Sequence, residues 1–353
     1  MTPEFNFLTT HVGSVPYPTV DTLPQRLAGL LDIPAWTQHP RRTFKENMYS
    51  QFTPGLPGVV IDEVREKVIL DTRGDLTPAL EAFYTPFLAD DVEAFALQPA
   101  YAAGFFAMLA ALKAQPPSEK RSAWVKGQVT GPISFGLTVT DQDLRASLYD
   151  EMLADAIIKN TAMLARWQVR QLKQVRENVI IFLDEPYLAS FGSAFISLSR
   201  EQVSAYLDEI YAAIHAEGAI GGVHCCANTD WGLLLATQVD MLNLDAYGYI
   251  QNLALYPVEL REFLDRGGSF CWGLIPNNEQ VLNESPQKLA ERLQAGIHLI
   301  SEKAAARGVR ISPDELATRS LVAPACGLGS TTLEIADRVF EVLAETGAIL
   351  KKG

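Results

Sequence analysis

The sequence predicts a (β/α)8 barrel, and three observations carry the prediction. Short apolar strands alternate with amphipathic helical stretches, the pattern of a parallel sheet covered by helices. Eight such strands can be marked, the number that closes a barrel. No GxGxxG follows the first strand, so an open sheet built for a dinucleotide has no support. A length of 353 residues suits one barrel, which commonly needs about 250, and residues 1–353 are read as a single barrel domain.

The elements follow in order. FNFLTTH (5–11) is the first strand and AFALQ (94–98) the second. Residues 15–92 separate them, far more than an ordinary connection. That stretch holds a hairpin-like pair, GVVIDE (58–63) and KVILDT (67–72), and reads as an excursion over one barrel face: a lid, a docking surface or a dimer contact. WVKGQVT (124–130) and VIIFLD (179–184) come next, with a long amphipathic stretch at 143–175 between them. The segment 199–218 has a Ser N-cap, a Glu/Gln pair and a closing Gly, the signature of a helix. AIGGVHC (219–225), DMLNLD (240–245), SFCWGL (269–274) and SLVAPA (320–325) complete the set.

Composition narrows the function. The chain is 48% hydrophobic and 20% charged, with a net charge of −13 and no Lys/Arg block. A nucleic acid or an anionic membrane is therefore not an expected partner. No apolar run is long enough for a transmembrane helix, and the start lacks the basic and apolar regions of a signal peptide. A cytoplasmic enzyme is expected. The four cysteines are too few for a disulfide framework, and clustered Cys and His point to metal or catalysis.

Barrel enzymes carry their chemistry at the C-terminal strand ends. Those ends supply HVGS (11–14), TGP (130–132), DEP (184–186), HCC (224–226), DAYGY (245–249), WGLIP (272–276) and ACGLGS (325–330). His224 and Cys226 lie two apart and share a strand face, while Cys225 faces the helices. With Asp245 and Cys326 they offer three or four ligands of the kind zinc takes. A site with two thiolates suits a thiol substrate. Asp184 and Glu185 end an apolar run, where they serve as a strand-end turn or as acids that meet a cation. Cys271 reads as core, His11 as a satisfied polar residue, and His39, His215 and His298 as residues without chemistry.

The order TTHVGSVP, TGP, DEP, HCC, Asp245, PACGL resembles the catalytic barrel of cobalamin-independent methionine synthase. It is also similar to the wider superfamily of uroporphyrinogen decarboxylase and zinc-dependent thiol methyltransferases. The resemblance covers the first strand and most of 120–345, and it is poor over 15–115. It implies Zn2+ on His224, Cys226 and Cys326, with Asp245 where the family offers a Glu ligand. It implies that Gly13 and Ser14 hold the carboxylate of homocysteine, and that Asp184, assisted by Glu185, meets its ammonium group.

Two departures bear on the methyl donor. WGLIPNNEQ lacks the His that the folate-using enzymes carry, and ISFGLTV after TGP lacks their folate-stacking Trp. Methyl-tetrahydrofolate must be protonated to leave, which calls for a general acid; a methylcorrinoid needs none. The expected activity is therefore methylation of homocysteine to methionine from a methylcorrinoid or a corrinoid protein, with the folate as the other donor. The alternatives are a coenzyme M-type alkyl transferase, a uroporphyrinogen decarboxylase-like enzyme, for which the rim offers acids and sulfurs where arginines are needed, and a non-catalytic zinc or corrinoid carrier.

Overall fold

The computed structural model describes residues 3–116, 122–193 and 196–352. In chain order its strands are β1 (Leu8–Thr9), β2 (Val59–Asp62), β3 (Lys67–Leu70), β4 (Trp124–Thr130), β5 (Asn178–Asp184), β6 (Ile220–Cys225), β7 (Met241–Leu244), β8 (Ser269–Ile275) and β9 (Ser320–Pro324). Seven of them form one parallel sheet in the order β1-β9-β8-β7-β6-β5-β4, while β2 and β3 make a separate antiparallel hairpin. Helices follow the sheet strands around the outside, giving the α/β barrel architecture that the alternation predicts. The helices that matter below are α1 (Leu23–Leu30), α2 (Thr77–Leu88), α3 (Ala103–Ala114), α4 (Pro132–Thr138), α5 (Glu151–Leu172), α6 (Arg200–Ala216), α7 (Trp231–Leu235) and α8 (Ala246–Tyr249).

The second strand position is not where the sequence suggests. Residues 94–98 form no strand, and Val92–Phe95 is a 3-10 helix whose Val92 and Phe95 are buried together at the i, i+3 spacing of such a turn. The gap between β1 and β4 is filled instead by residues 33–38. Ile33 N–H donates to the Thr9 carbonyl at 2.9 Å, and Lys126 N–H donates to the Pro34 carbonyl at 3.0 Å. Gln38 N–H donates to the Gly13 carbonyl at 3.2 Å, and parallel bridges join Ser14 to Gln38 and Ala35 to Lys126. A proline and several polar side chains disguise this stretch, DIPAWTQ (32–38), as a loop.

The long insertion therefore sits after the second strand position, over residues 39–102, and not between the first two strands. Buried polar bonds stitch it down. Thr130 Oγ1 donates to the Met48 carbonyl at 2.6 Å, and Asn160 Nδ2 donates to the Phe52 carbonyl at 2.8 Å. The Glu46 carboxylate accepts from the backbone N–H groups of His39 and Ala103. Such bonds make a fixed wall of the part nearest the barrel mouth.

Period-two alternation divides the side chains between two cores. Ile180 and Phe182 of β5 join Met241, Cys271, Leu321 and Ala323 inside the barrel. Val179, Ile181 and Leu183 face the helices, as do Val223 and Cys225 of β6. Gly222 lies opposite Phe182, and a Cβ there would meet the ring at 2.3 Å, so only glycine lets the ring fill the barrel. A lysine, Lys126, is among the charged side chains buried in this interior. Lys126 donates to the Val12 carbonyl at 2.7 Å and lies 4.7 Å over the Phe182 ring. Burial depresses its pKa to about 8, with Asp184 opposing the shift. No helix among the described residues is long and apolar enough to cross a membrane.

At the opposite end of the barrel, His215 in the last turn of α6 lies 2.7 Å from Asp240, just before β7. That hydrogen bond, working against burial, raises the His215 pKa above its usual 6.5. A raised pKa gives stability that is full below the unfolded value and fades as pH rises through the folded one. His215→Asn should therefore lower the urea midpoint at pH 5.5 and have little effect at pH 9. The loss should be under about 1 kcal/mol, because the pair is a third exposed and screened by solvent.

Candidate metal centre at the barrel mouth

The site grows from the register of β6 against its neighbours. His224 is the Cα partner of Asp184 on β5 and of Asn243 on β7. It shares the inward face, and Cys226 follows just beyond the strand end. Cys326 arrives from the other side of the barrel, two residues past β9. One ring nitrogen of His224 and the Sγ atoms of Cys226 and Cys326 all lie within 4.8 Å of one another. His224 Nδ1 is taken by the Asn243 side-chain oxygen at 2.6 Å. The ring nitrogen left for the cluster is Nε2, which is buried and has no well-formed hydrogen bond. An orphaned buried polar atom costs about 1–3 kcal/mol, and a metal ion relieves that cost. Two sulfurs and one imidazole are a donor set that fits zinc and leaves room for a further ligand.

The charges respond to this crowding. The Cys226 thiol is pulled well below its usual range, first by the hydrogen bond from Cys326 and then by His224. Cys326 is pushed up as the partner that keeps its proton. Burial works against a charged His224, but the Cys226 sulfur outweighs it and raises the pKa. Burial lifts Asp184 to about 6, opposed by His224 and Lys126.

A cavity of about 400 Å3 opens over the cluster. Asp184, His224, Cys226 and Cys326 line its floor, with Ser14, Gly327, Gly329 and Ser330 on one side and Gln38, Glu46, Asn47 and Met48 on another. Asp184 is 6% exposed, and its Oδ1 has no hydrogen-bond partner. Ser14 is fixed in place. Its hydroxyl accepts from Gly329 N–H at 3.3 Å and its carbonyl from Leu328 N–H at 2.8 Å. Its own hydroxyl proton remains able to donate.

Other candidates lie elsewhere. Asp245 does not join the cluster; its carboxylate accepts from Gly248 N–H at 2.8 Å and caps α8. Glu185 is fully buried outside the cavity lining. It accepts from the backbone N–H groups of Ile133 and Ser134 and from the Ser134 hydroxyl, at the start of α4. Burial still lifts it to about 7 against those donors. Gly13 does not line the cavity, and a Cβ on it would stand 2.7 Å from Gln128 Nε2. Its part is to let the first strand approach Gln128 and Gln38. Cys225 packs in the sheet–helix layer, Cys271 sits inside the barrel, and His11 bonds the Ala35 carbonyl at 3.0 Å.

Gln38, Glu46, Asn47 and Met48 are not among the site residues that the sequence suggests, because their segment reads only as an excursion over one barrel face with no residue singled out. Nor is Asn243 among them, although a lone Asn inside the apolar run DMLNLD, one strand from HxC, is a signal in plain view.

No protein-family model matches the chain, and no curated protein matches its sequence. Similar solved structures include a B12-independent methionine synthase from Shewanella sp. W3-18-1, solved in complex with selenomethionine. It is 16% identical with a TM-score of 0.53, and the match covers 98% of each chain. A methyltransferase from Methanosarcina mazei is 12% identical with a TM-score of 0.53, covering 99% of this chain and 93% of that one. At such identities the likeness is one of fold: the chain shares the barrel architecture of both proteins over nearly its whole length.

Proposed function

We propose that the chain is a zinc-dependent methyltransferase that places a methyl group on the sulfur of homocysteine, giving methionine. One observation carries the reading: two thiols and an orphaned imidazole nitrogen share a cavity with an orphaned carboxylate oxygen. His224, Cys226 and Cys326 would hold the metal. Zinc there supplies acidity, keeping a substrate thiol as its thiolate at neutral pH. Asp184 Oδ1 accepts from the substrate ammonium, and the Ser14 hydroxyl, beside the 327–330 turn, donates to its carboxylate. These two anchors orient the amino acid so that its sulfur meets the donor methyl. The S–C bond forms as the donor–methyl bond breaks, and the bonding electrons leave with the donor. The two structural neighbours, one named for methionine synthesis and one as a methyltransferase, accord with this reading.

The proposed donor is a methylcorrinoid, free or on a corrinoid protein docked against the insertion. Among the described residues no His besides His224 lines the cavity, and departure of reduced cobalt requires no general acid. Methyl-tetrahydrofolate is the second reading, favoured by the B12-independent Shewanella neighbour. A coenzyme M-type thiol would leave Asp184 without an ammonium partner. A porphyrinogen decarboxylase would want arginines for its carboxylates, and none among the described residues lines the cavity.

Anaerobic assays of homocysteine methylation test the donor. Turnover with methylcobalamin is expected, and turnover with methyl-tetrahydrofolate alone would transfer the proposal to the folate. Zinc analysis tests the ligands. Cys225→Ala and Asp245→Asn should keep close to one zinc per chain, whereas Cys226→Ala should lose most of it. Asp184→Asn should keep the zinc yet raise KM for homocysteine at least tenfold, since a charged hydrogen bond is worth about 1.5–3 kcal/mol.

A further inference from the structure

Asn243 has no place in the ligand set, yet it is fully buried at the centre of β7, beneath the cavity. Its two polar ends are both committed. Nδ2 donates to the Cys271 carbonyl on β8 at 2.6 Å, and Oδ1 lies 2.6 Å from His224 Nδ1 on β6. The chemistry fixes the direction of this chain of bonds. A carbonyl oxygen only accepts, so the amide must turn its NH2 towards Cys271. Its oxygen then faces His224, and an amide oxygen also only accepts. The proton of the imidazole must therefore sit on Nδ1, which leaves the Nε2 lone pair pointing away from Asn243 as the group without a partner. Among the described residues no other hydrogen bond dictates the tautomer: Asp184, the other neighbour in register, has none to the ring.

We infer that Asn243 is the positioning residue of the metal centre, reading the backbone of β8 and setting His224 in the Nδ1–H tautomer that offers Nε2 to the metal. The inference rests on the reading of His224, Cys226 and Cys326 as zinc ligands. Partners of this kind fix ring orientation and tautomer, and losing one typically costs 10–100-fold in metal affinity. The bond to Cys271 ties the amide to a neighbouring strand, so the ring is held by the sheet itself and not by a mobile loop.

Two variants separate positioning from simple support. Asn243→Leu removes both bonds at similar volume. Asn243→Asp keeps an acceptor for Nδ1 and loses the donor to Cys271. Zinc affinity is measured by competition with a chromophoric chelator, and retention of the fold by thermal melting. Asn243→Leu should bind zinc 10–100-fold more weakly than the parent. Asn243→Asp should stay within about threefold of the parent even if it melts lower. A role confined to tying β7 to β8 predicts equal losses in the two variants, and that result overturns the inference, as does no loss in either. A parent protein that binds no zinc at all fails one step earlier, at the ligand set. A parent that binds zinc, with both variants unchanged, leaves the ligand set standing and removes Asn243 alone.

Discussion

Everything at the barrel mouth depends on the register of β6 between β5 and β7. Side chains alternate along an extended strand, so a shift of one residue would exchange the inward and outward sets. In the register observed, Gly222 makes room for Phe182 and His224 comes up beside Asp184 and Asn243. Cys225 is turned out into the helix layer. Slipping by one would bury the imidazole among aliphatic side chains and leave its nitrogens unpaired, at a cost of about 1–3 kcal/mol each. The packing of Phe182 on glycine and the polarity of His224 therefore enforce the same register.

A second constraint is the closing of the ring. The described sheet has seven strands, and the remaining gap is bridged by residues 33–38 through a few backbone bonds. That segment carries Gln38 into the cavity wall, and the insertion behind it adds Glu46, Asn47 and Met48. On the far side, the loop after β9 is held to the end of the first strand through Ser14. The first strand position thus joins two halves of the site. Lys126 reinforces the join from below by holding the Val12 carbonyl. The buried ammonium is tolerated because it has hydrogen-bond acceptors, an aromatic face and the nearby Asp184 charge.

Much of this was legible in the sequence because it follows period-two and period-3.6 rules. The strands from β4 onward are mostly apolar and almost wholly buried, so their pattern is plain, and the split of Cys225 from Cys226 follows from alternation alone. The second strand position was not legible. A proline, a tryptophan and polar residues obscure it, and its two edges are satisfied by isolated bonds that only the closed barrel makes. AFALQ was mistaken for it because a short apolar run looks the same in a 3-10 turn. The acids after β5 and β7 show the same limit. Sequence places Glu185 and Asp245 at the rim, but only geometry shows that Glu185 spends both oxygens on the start of α4 and Asp245 its Oδ1 on the start of α8. Asp184, next in the chain, keeps an oxygen free.

The central claim is a metal centre made of one imidazole and two sulfurs. The most direct measurement is zinc K-edge X-ray absorption on the zinc-loaded protein without substrate. The account predicts two sulfur ligands at about 2.3 Å and one imidazole nitrogen at about 2.0–2.1 Å, with any further ligand light. A shell of oxygen and nitrogen alone, or one with three sulfurs that draws in Cys225, would contradict it.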